Sequence, residues 1–190
     1  MRATQPGQSA LLLLDVVDTL TEQGVQYAVI GAMAASVHGR VRASLDADAI
    51  AFITVQQAKV LEARLREAGF VTSLRVGDLD DPIAALLALE DAHGNRVDLL
   101  IGLRGLDRTA LQRSIDVPFQ GATLTVLGRE DFIATKLYAG GPQDLVDARA
   151  LIVAEPSSLD VKLLRELADQ FGRETREQLE SALKGFNSGV

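Results

Sequence analysis

Apolar residues recur along this chain at two spacings, and the change from one to the other marks out its elements. Over residues 9–23, Leu13, Val16, Val17 and Leu20 fall three and four apart, which predicts a helix with one stripe facing a core. Ser9 offers an N-cap oxygen, and Gly24 supplies a stop. Residues 27–30 (YAVI) form a short apolar run and predict a buried strand, which Gly31 breaks. A short helix over 32–38 ends at Gly39, and residues 46–53 predict the next strand. Residues 56–68 predict an amphipathic helix with Val60, Leu61 and Leu65 inward, closed by Gly69. A third strand over 70–76 and a loop over 77–82 follow.

Residues 85–91 and 95–101 read as a hairpin turning through Ala92, His93 and Gly94. A helix is predicted near 106–114, then short strands at 117–119 and 123–126 around Gln120 and Gly121. From Gly128 onward the spacing is helical, over 129–139, 144–153, 158–171 and 174–184. The predicted fold is α+β: a small mixed sheet flanked by helices over residues 1–127, then a helical region over 128–190.

Composition narrows the function classes. The absence of cysteine excludes disulfides and thiolate metal sites. The apolar stretch from Ala10 to Leu14 is cut by Asp15, too short for a signal-peptide core or a membrane span, so the expected location is cytoplasmic. The net charge of −7 is uneven. Residues 1–75 carry seven Lys/Arg against seven Asp/Glu, while residues 76–190 carry twelve against nineteen. Such a chain is a poor general nucleic-acid binder, because neutralising phosphates needs a basic surface.

The candidate chemistry lies in GAMAASVHGRVRASLDADAIAFI, from Gly31 to Ile53. Residues two apart on a strand share a face, so Asp46 and Asp48 point the same way. Two adjacent carboxylates repel unless a cation sits between them, and hard oxygen ligands suit magnesium. Gly31 follows a strand and opens a helix, where backbone N–H groups can meet phosphate, and Arg40 and Arg42 lie between the two features. Asp98 stands mid-strand among Val97, Leu99 and Ile101, which take the opposite face, and pairing across the sheet with Asp46 and Asp48 would account for it. Each residue also has a plainer reading. The aspartate pair fits a solvated strand end, Gly31 an ordinary turn, Asp98 an edge charge, and the arginines a solvated loop. His38 reads as a helix C-terminal residue and His93 as a turn residue.

Taken in order, these motifs resemble the nucleotidyltransferase superfamily of the polymerase-beta type. The run YAVIGAMAASVHGRVRASLDAD is similar to the Y-x-x-I-G-G-x-A-x-x-x-H-G-x-x-R-x-T-x-D-x-D pattern of the AbiEii/AbiGii toxin-type nucleotidyltransferase-like family. REDFIATKLYAGGPQDLVDARAL resembles that family's second signature, with Lys136, Asp144 and Asp147 on its Lys and Asp positions. The resemblance runs from about Tyr27 to Leu151. It implies a nucleoside triphosphate substrate and magnesium or manganese held by Asp46, Asp48 and Asp98. It also implies nucleotide contacts from Gly31, Ala32, Arg42, Lys136 and Asp144. The acceptor would be a hydroxyl on RNA, protein or a small molecule, and some relatives pair with an antitoxin. Three departures stand out. Ala32 replaces the second glycine, Gln143 replaces a lysine, and Ala47 and Ala49 replace larger apolar residues. Ala32 narrows the room for phosphate and Gln143 removes a charge, which motivates a rival reading as a catalytically silent nucleotide- or partner-binding module. A third reading is a small-molecule nucleotidyltransferase, for which the acidic C-terminal half favours a cationic, aminoglycoside-like acceptor over tRNA.

Overall fold

A computed structural model describes residues 1–187. Helix α1 (Ser9–Glu22) leads into strand β1 (Tyr27–Val29), helix α2 (Gly31–Val37), strand β2 (Asp46–Ala51) and helix α3 (Val55–Glu67). Strands β3 (Val71–Val76), β4 (Ile83–Glu90), β5 (Arg96–Leu103), β6 (Ile115–Phe119) and β7 (Ala122–Val126) come next. Helices α4 (Arg129–Ala139), α5 (Pro142–Ala154), α6 (Val161–Phe171) and α7 (Arg173–Asn187) complete the chain. The strands form one mixed sheet in the order β3-β4-β5-β2-β1-β7-β6. No helix among the described residues is long and apolar enough to cross a membrane.

Alternation decides the two faces of the sheet. Ala47, Ala49 and Ala51 of β2 lie in register with Val97, Leu99 and Ile101 of β5. All six are buried, on the side where α1 contacts both strands. α1 brings the fully buried Leu12, Leu13 and Leu20, each contributing roughly 2 kcal/mol of transfer free energy. A capping box fixes the start of α3, with the Thr54 hydroxyl accepting from the Gln57 N–H at 3.3 Å. Left-handed Gln120 (φ 49°) and Gly121 (φ 78°) join β6 to β7, a backbone suited to a two-residue hairpin. α4 packs against α5, α6 and α7.

Four expectations need correction. Ser9 lies inside α1 and does not cap it; its hydroxyl donates to the Leu45 carbonyl (2.5 Å) and accepts from the Arg96 N–H (3.1 Å), tying α1 to the starts of β2 and β5. Val60 is 57% exposed, because the buried stripe of α3 is Ala58, Leu61 and Leu65. The helix expected over 106–114 is a short 3-10 turn at Arg108–Gln112, started by the Asp107 carboxylate accepting from the Thr109 N–H. The helix expected from residue 158 begins at Val161, where Asp160 accepts from the Leu163 N–H; Pro156–Ser158 form a separate 3-10 turn.

Candidate active site

The parallel pairing of β2 with β5 sets Asp48 directly beside Asp98, and Asp46 beside Arg96. Neighbouring strands run about 4.8 Å apart, so the Asp48 and Asp98 side chains leave adjacent backbone positions on one face. That face is the one opposite α1, because the intervening Ala47, Val97 and Leu99 are buried beneath α1. Asp46 is exposed, as the first residue of its strand, while Asp48 and Asp98 are half-buried. The acid alternating with core residues in β5 therefore has its partner one strand away.

None of the three carboxylates accepts a hydrogen bond from another side chain or turn among the described residues. Burial pushes Asp48 up to about 6, and the negative charges of Asp98 and Asp46 push the same way; Lys136 and Arg42 partly offset them. Asp98 is also raised, first by burial and then by Asp46, with Arg75 and Arg96 opposing. Gly31 makes room for this arrangement. Its φ is +64°, and a Cβ there would lie 1.9 Å from Asp48 Oδ2. The glycine thus admits a carboxylate of this chain, where the sequence suggested space for phosphate. The helix it opens, α2, has only seven residues.

The basic residues are engaged. Arg42 Nε donates to Asp147 Oδ2 at 3.1 Å, and Arg40 Nε lies 3.8 Å from Asp147 Oδ1. Gln143, at the position where the resembling signature has lysine, donates to Asp147 Oδ1 at 2.9 Å. Asp147 itself is fully buried. The solvated-loop reading of Arg40 and Arg42 is therefore wrong, and so is a reading in which Arg42 waits unpaired for phosphate. Lys136 Nζ donates to Asp144 Oδ1 at 2.5 Å and sits 5.5 Å from the Phe132 ring centre. The Lys136 side chain is 14% exposed, and its charge partly offsets the upward shift of Asp48. His38 caps α2 and bonds the Leu127 carbonyl through Nε2 at 2.8 Å, while the His93 N–H donates to Asp91 within the hairpin turn.

A cavity of about 340 Å³ opens beside Asp46, lined in part by Ser9, Ala32, Met33, Arg42 and Ala47; neither Asp48 nor Asp98 lines it. Other cavities lie by Phe52 and Arg108 and by Gly140 and Gln178; none of the three aspartates lines them. Among the described residues no group of three or more His, Asp or Glu is gathered tightly enough to hold a metal ion. Asp48 and Asp98 form the close pair, and Asp46 stands at the exposed strand end. The donors are nonetheless all carboxylate oxygens without hydrogen-bond partners, and Asp48 and Asp98 are crowded and raised in pKa, which is the chemistry a hard divalent cation relieves.

Sequence reasoning did not find Asp147 as the anchor of the Arg40–Arg42 loop. The signal available was its spacing of three from Asp144, which puts both on one side of α5.

No protein-family model matches the sequence, and no curated protein matches it. Solved structures do resemble the fold. ANT(2″)-Ia in complex with adenylyl-2″-tobramycin superposes with a TM-score of 0.58 at 15% identity, covering 84% of this chain and 94% of that one. Its solution structure gives 0.55 at 16% identity, covering 94% and 96%. An antigenic nucleotidyltransferase-like protein from Paracoccidioides brasiliensis gives 0.50 at 17% identity, covering 96% and 95%. The chain has a nucleotidyltransferase-type fold.

Proposed function

We propose that this protein is a metal-dependent nucleotidyltransferase that moves a nucleoside monophosphate from a triphosphate to a hydroxyl acceptor and releases pyrophosphate. The observation that carries the reading is the register pair Asp48–Asp98, unpartnered and raised in pKa, beside Asp46. The fold neighbour holding adenylyl-2″-tobramycin supports a nucleoside monophosphate as the transferred group. In this reading residues 1–127 carry the carboxylates and residues 128–190 bring Lys136 to the cleft.

Asp46, Asp48 and Asp98 would hold magnesium or manganese. Bound there, the metal would supply charge neutralisation for the triphosphate and a lowered pKa for the acceptor hydroxyl. The other roles belong to the chain's own groups. Lys136 spends one of its three donors on Asp144, and two remain for phosphate oxygens. Arg42 spends Nε on Asp147 and keeps its terminal N–H groups. Both cations act on Asp48, so they mark the side on which a polyphosphate would lie. The cavity lined by Ala32 and Arg42 gives the rest of the nucleotide a place beside them. Asp98, directly across the strand pair from Asp48, is placed to take the acceptor proton as the oxygen–phosphorus bond forms and the bond to pyrophosphate breaks.

The test is pyrophosphate release from each of the four triphosphates, with magnesium and a broad acceptor pool, for wild type and Asp48→Ala. Equal rates with all four nucleotides would overturn the reading. A silent nucleotide- or partner-binding module is the second reading. Lys136 and Arg42 already hold carboxylates of their own, and the aspartates are not gathered as a metal cage, which favours it. The same assay separates the two, since a silent module binds nucleotide without turnover. The toxin-type resemblance adds one expectation: overproduction of wild type slows growth, Asp48→Ala does not, and an antitoxin protein relieves the effect.

A further inference from the structure

The face that carries the carboxylates continues across β5, β4 and β3, and its cross-strand rows run in register. One row is Asp48, Asp98, Ala88 and Ser73. On one side of it lie Asp46, Arg96, Glu90 and Val71, and on the other Ile50, Leu100, Leu86 and Arg75. The middle row thus passes from two acids to two small residues, between rows of longer side chains. It forms a shallow trough running from Asp98 to the sheet edge. No part of it is sealed, for Ala88, Leu86 and Leu100 are half-buried and Ser73 and Arg75 exposed.

The charges along the trough are sorted. Arg42 and Lys136 act on Asp48, whereas Arg75 and Arg96 act on Asp98. Arg96 is held by Glu90 at 3.1 Å. Arg75 makes no hydrogen bond or ion pair among the described residues. We infer that this trough is the acceptor subsite and that Arg75 selects a small alcohol carrying an anionic group, a phosphate or carboxylate, and rejects a cationic one. The inference rests on the nucleotidyltransferase reading for the word acceptor, and on the trough alone for the binding.

Spacing sets the size of that alcohol. Arg75 and Asp98 stand two strands and one row apart, about 12 Å between backbones. Strand side chains rise roughly perpendicular to the sheet, so an arginine leaning along the trough closes at most about half of this and leaves about 6–10 Å between the anion and the hydroxyl facing Asp98. A sugar phosphate has those proportions, and Leu86 and Leu100 offer its apolar ring face a wall.

Glucose 6-phosphate, glucose and glucosamine make a matched anionic, neutral and cationic set. Methyl NMR of the whole protein in magnesium would follow Leu86, Ala88 and Leu100 during titration with each. Glucose 6-phosphate is expected to shift these signals, and the other two to leave them in place. Arg75→Gln, at an exposed position, should fold as wild type and weaken the glucose 6-phosphate titration at least tenfold. Absent shifts, an equal response to glucosamine, or an unchanged Arg75→Gln titration would each overturn the subsite. Pyrophosphate release is scored separately: shifts without turnover leave the subsite standing and sink the catalytic reading, whereas turnover without shifts sinks the subsite alone.

Discussion

Asp48 and Asp147 are both withdrawn from water beside the same cleft, yet the chain treats them in opposite ways. Asp147 is fully buried and receives Arg42, Gln143 and, more distantly, Arg40. Asp48 is less buried, accepts no side-chain hydrogen bond, and faces two further acids. Physical chemistry favours the first arrangement, because a buried carboxylate is costly unless paired. An arrangement of the second kind persists when a ligand, rather than the fold, supplies the missing partner. The contrast separates a carboxylate satisfied by the fold from one the fold leaves unpaired.

The largest expected effect is on turnover. If Asp48 is a metal ligand, Asp48→Ala should lower pyrophosphate release by about a thousandfold or more, roughly 4 kcal/mol of barrier, with the fold retained. Circular dichroism run beside the assay checks the fold. Asp147→Ala should do the reverse in emphasis. It leaves Arg42 and Arg40 facing a hole and should cost about 3 kcal/mol in denaturant unfolding. A variant as stable as wild type would end the idea that Asp147 anchors the loop.

The pH dependence sharpens the same contrast. Asp48 is raised from 3.8 to about 6 in the folded, metal-free protein, so the folded state holds the proton more tightly than the unfolded state. The associated stability is present below about pH 4 and is lost as pH rises through 6. Above pH 7 the loss should reach about 2 kcal/mol, allowing for partial exposure. In chelator, Asp48→Asn should therefore stabilise the protein at pH 8 and hardly at pH 4.5. Equal effects at both pH values in urea unfolding would contradict the crowding. The smallest effect is at Gln143, where Gln143→Lys exchanges one donor to Asp147 for another and should change stability by under about 0.5 kcal/mol. A larger change would mean that the amide is needed for more than its bond to Asp147.

Period and punctuation made much of this legible. The strand with Asp98 among Val97, Leu99 and Ile101 could be read because alternation fixes faces, and β5 keeps that alternation. Asp46 and Asp48 could be read for the same reason. The identity of the neighbouring strand could not, since β2 and β5 are separated by two other strands in sequence. Val60 misled because it adjoins Leu61, yet a helix turns 100° between them and only Leu61 falls on the stripe with Ala58 and Leu65. Ser9 misled because its hydroxyl serves β2 and β5, a tertiary demand that outweighs local capping. Asp147 was readable as a helix position but not as an anchor, for Arg42 lies 105 residues away in sequence. The trough was invisible for the same reason, since Ser73 and Ala88 become a channel only when three strands are set in register.

The missing Cβ at Gly31 also constrains how this chain can change by descent. Any larger residue there collides with the Asp48 carboxylate and must adopt a left-handed backbone, so it carries two penalties while Asp48 remains. Once Asp48 has been replaced by glycine, the collision disappears and only the backbone penalty is left; an alanine there removes the carboxylate but keeps a Cβ 3.0 Å away. Positions 31 and 48 are therefore epistatic, and the order of mutation matters: the acid goes first, and the glycine is released to drift afterwards. A lineage in which position 31 has drifted should be one that had already given up its carboxylate, and the residue at 31 becomes a record of that loss.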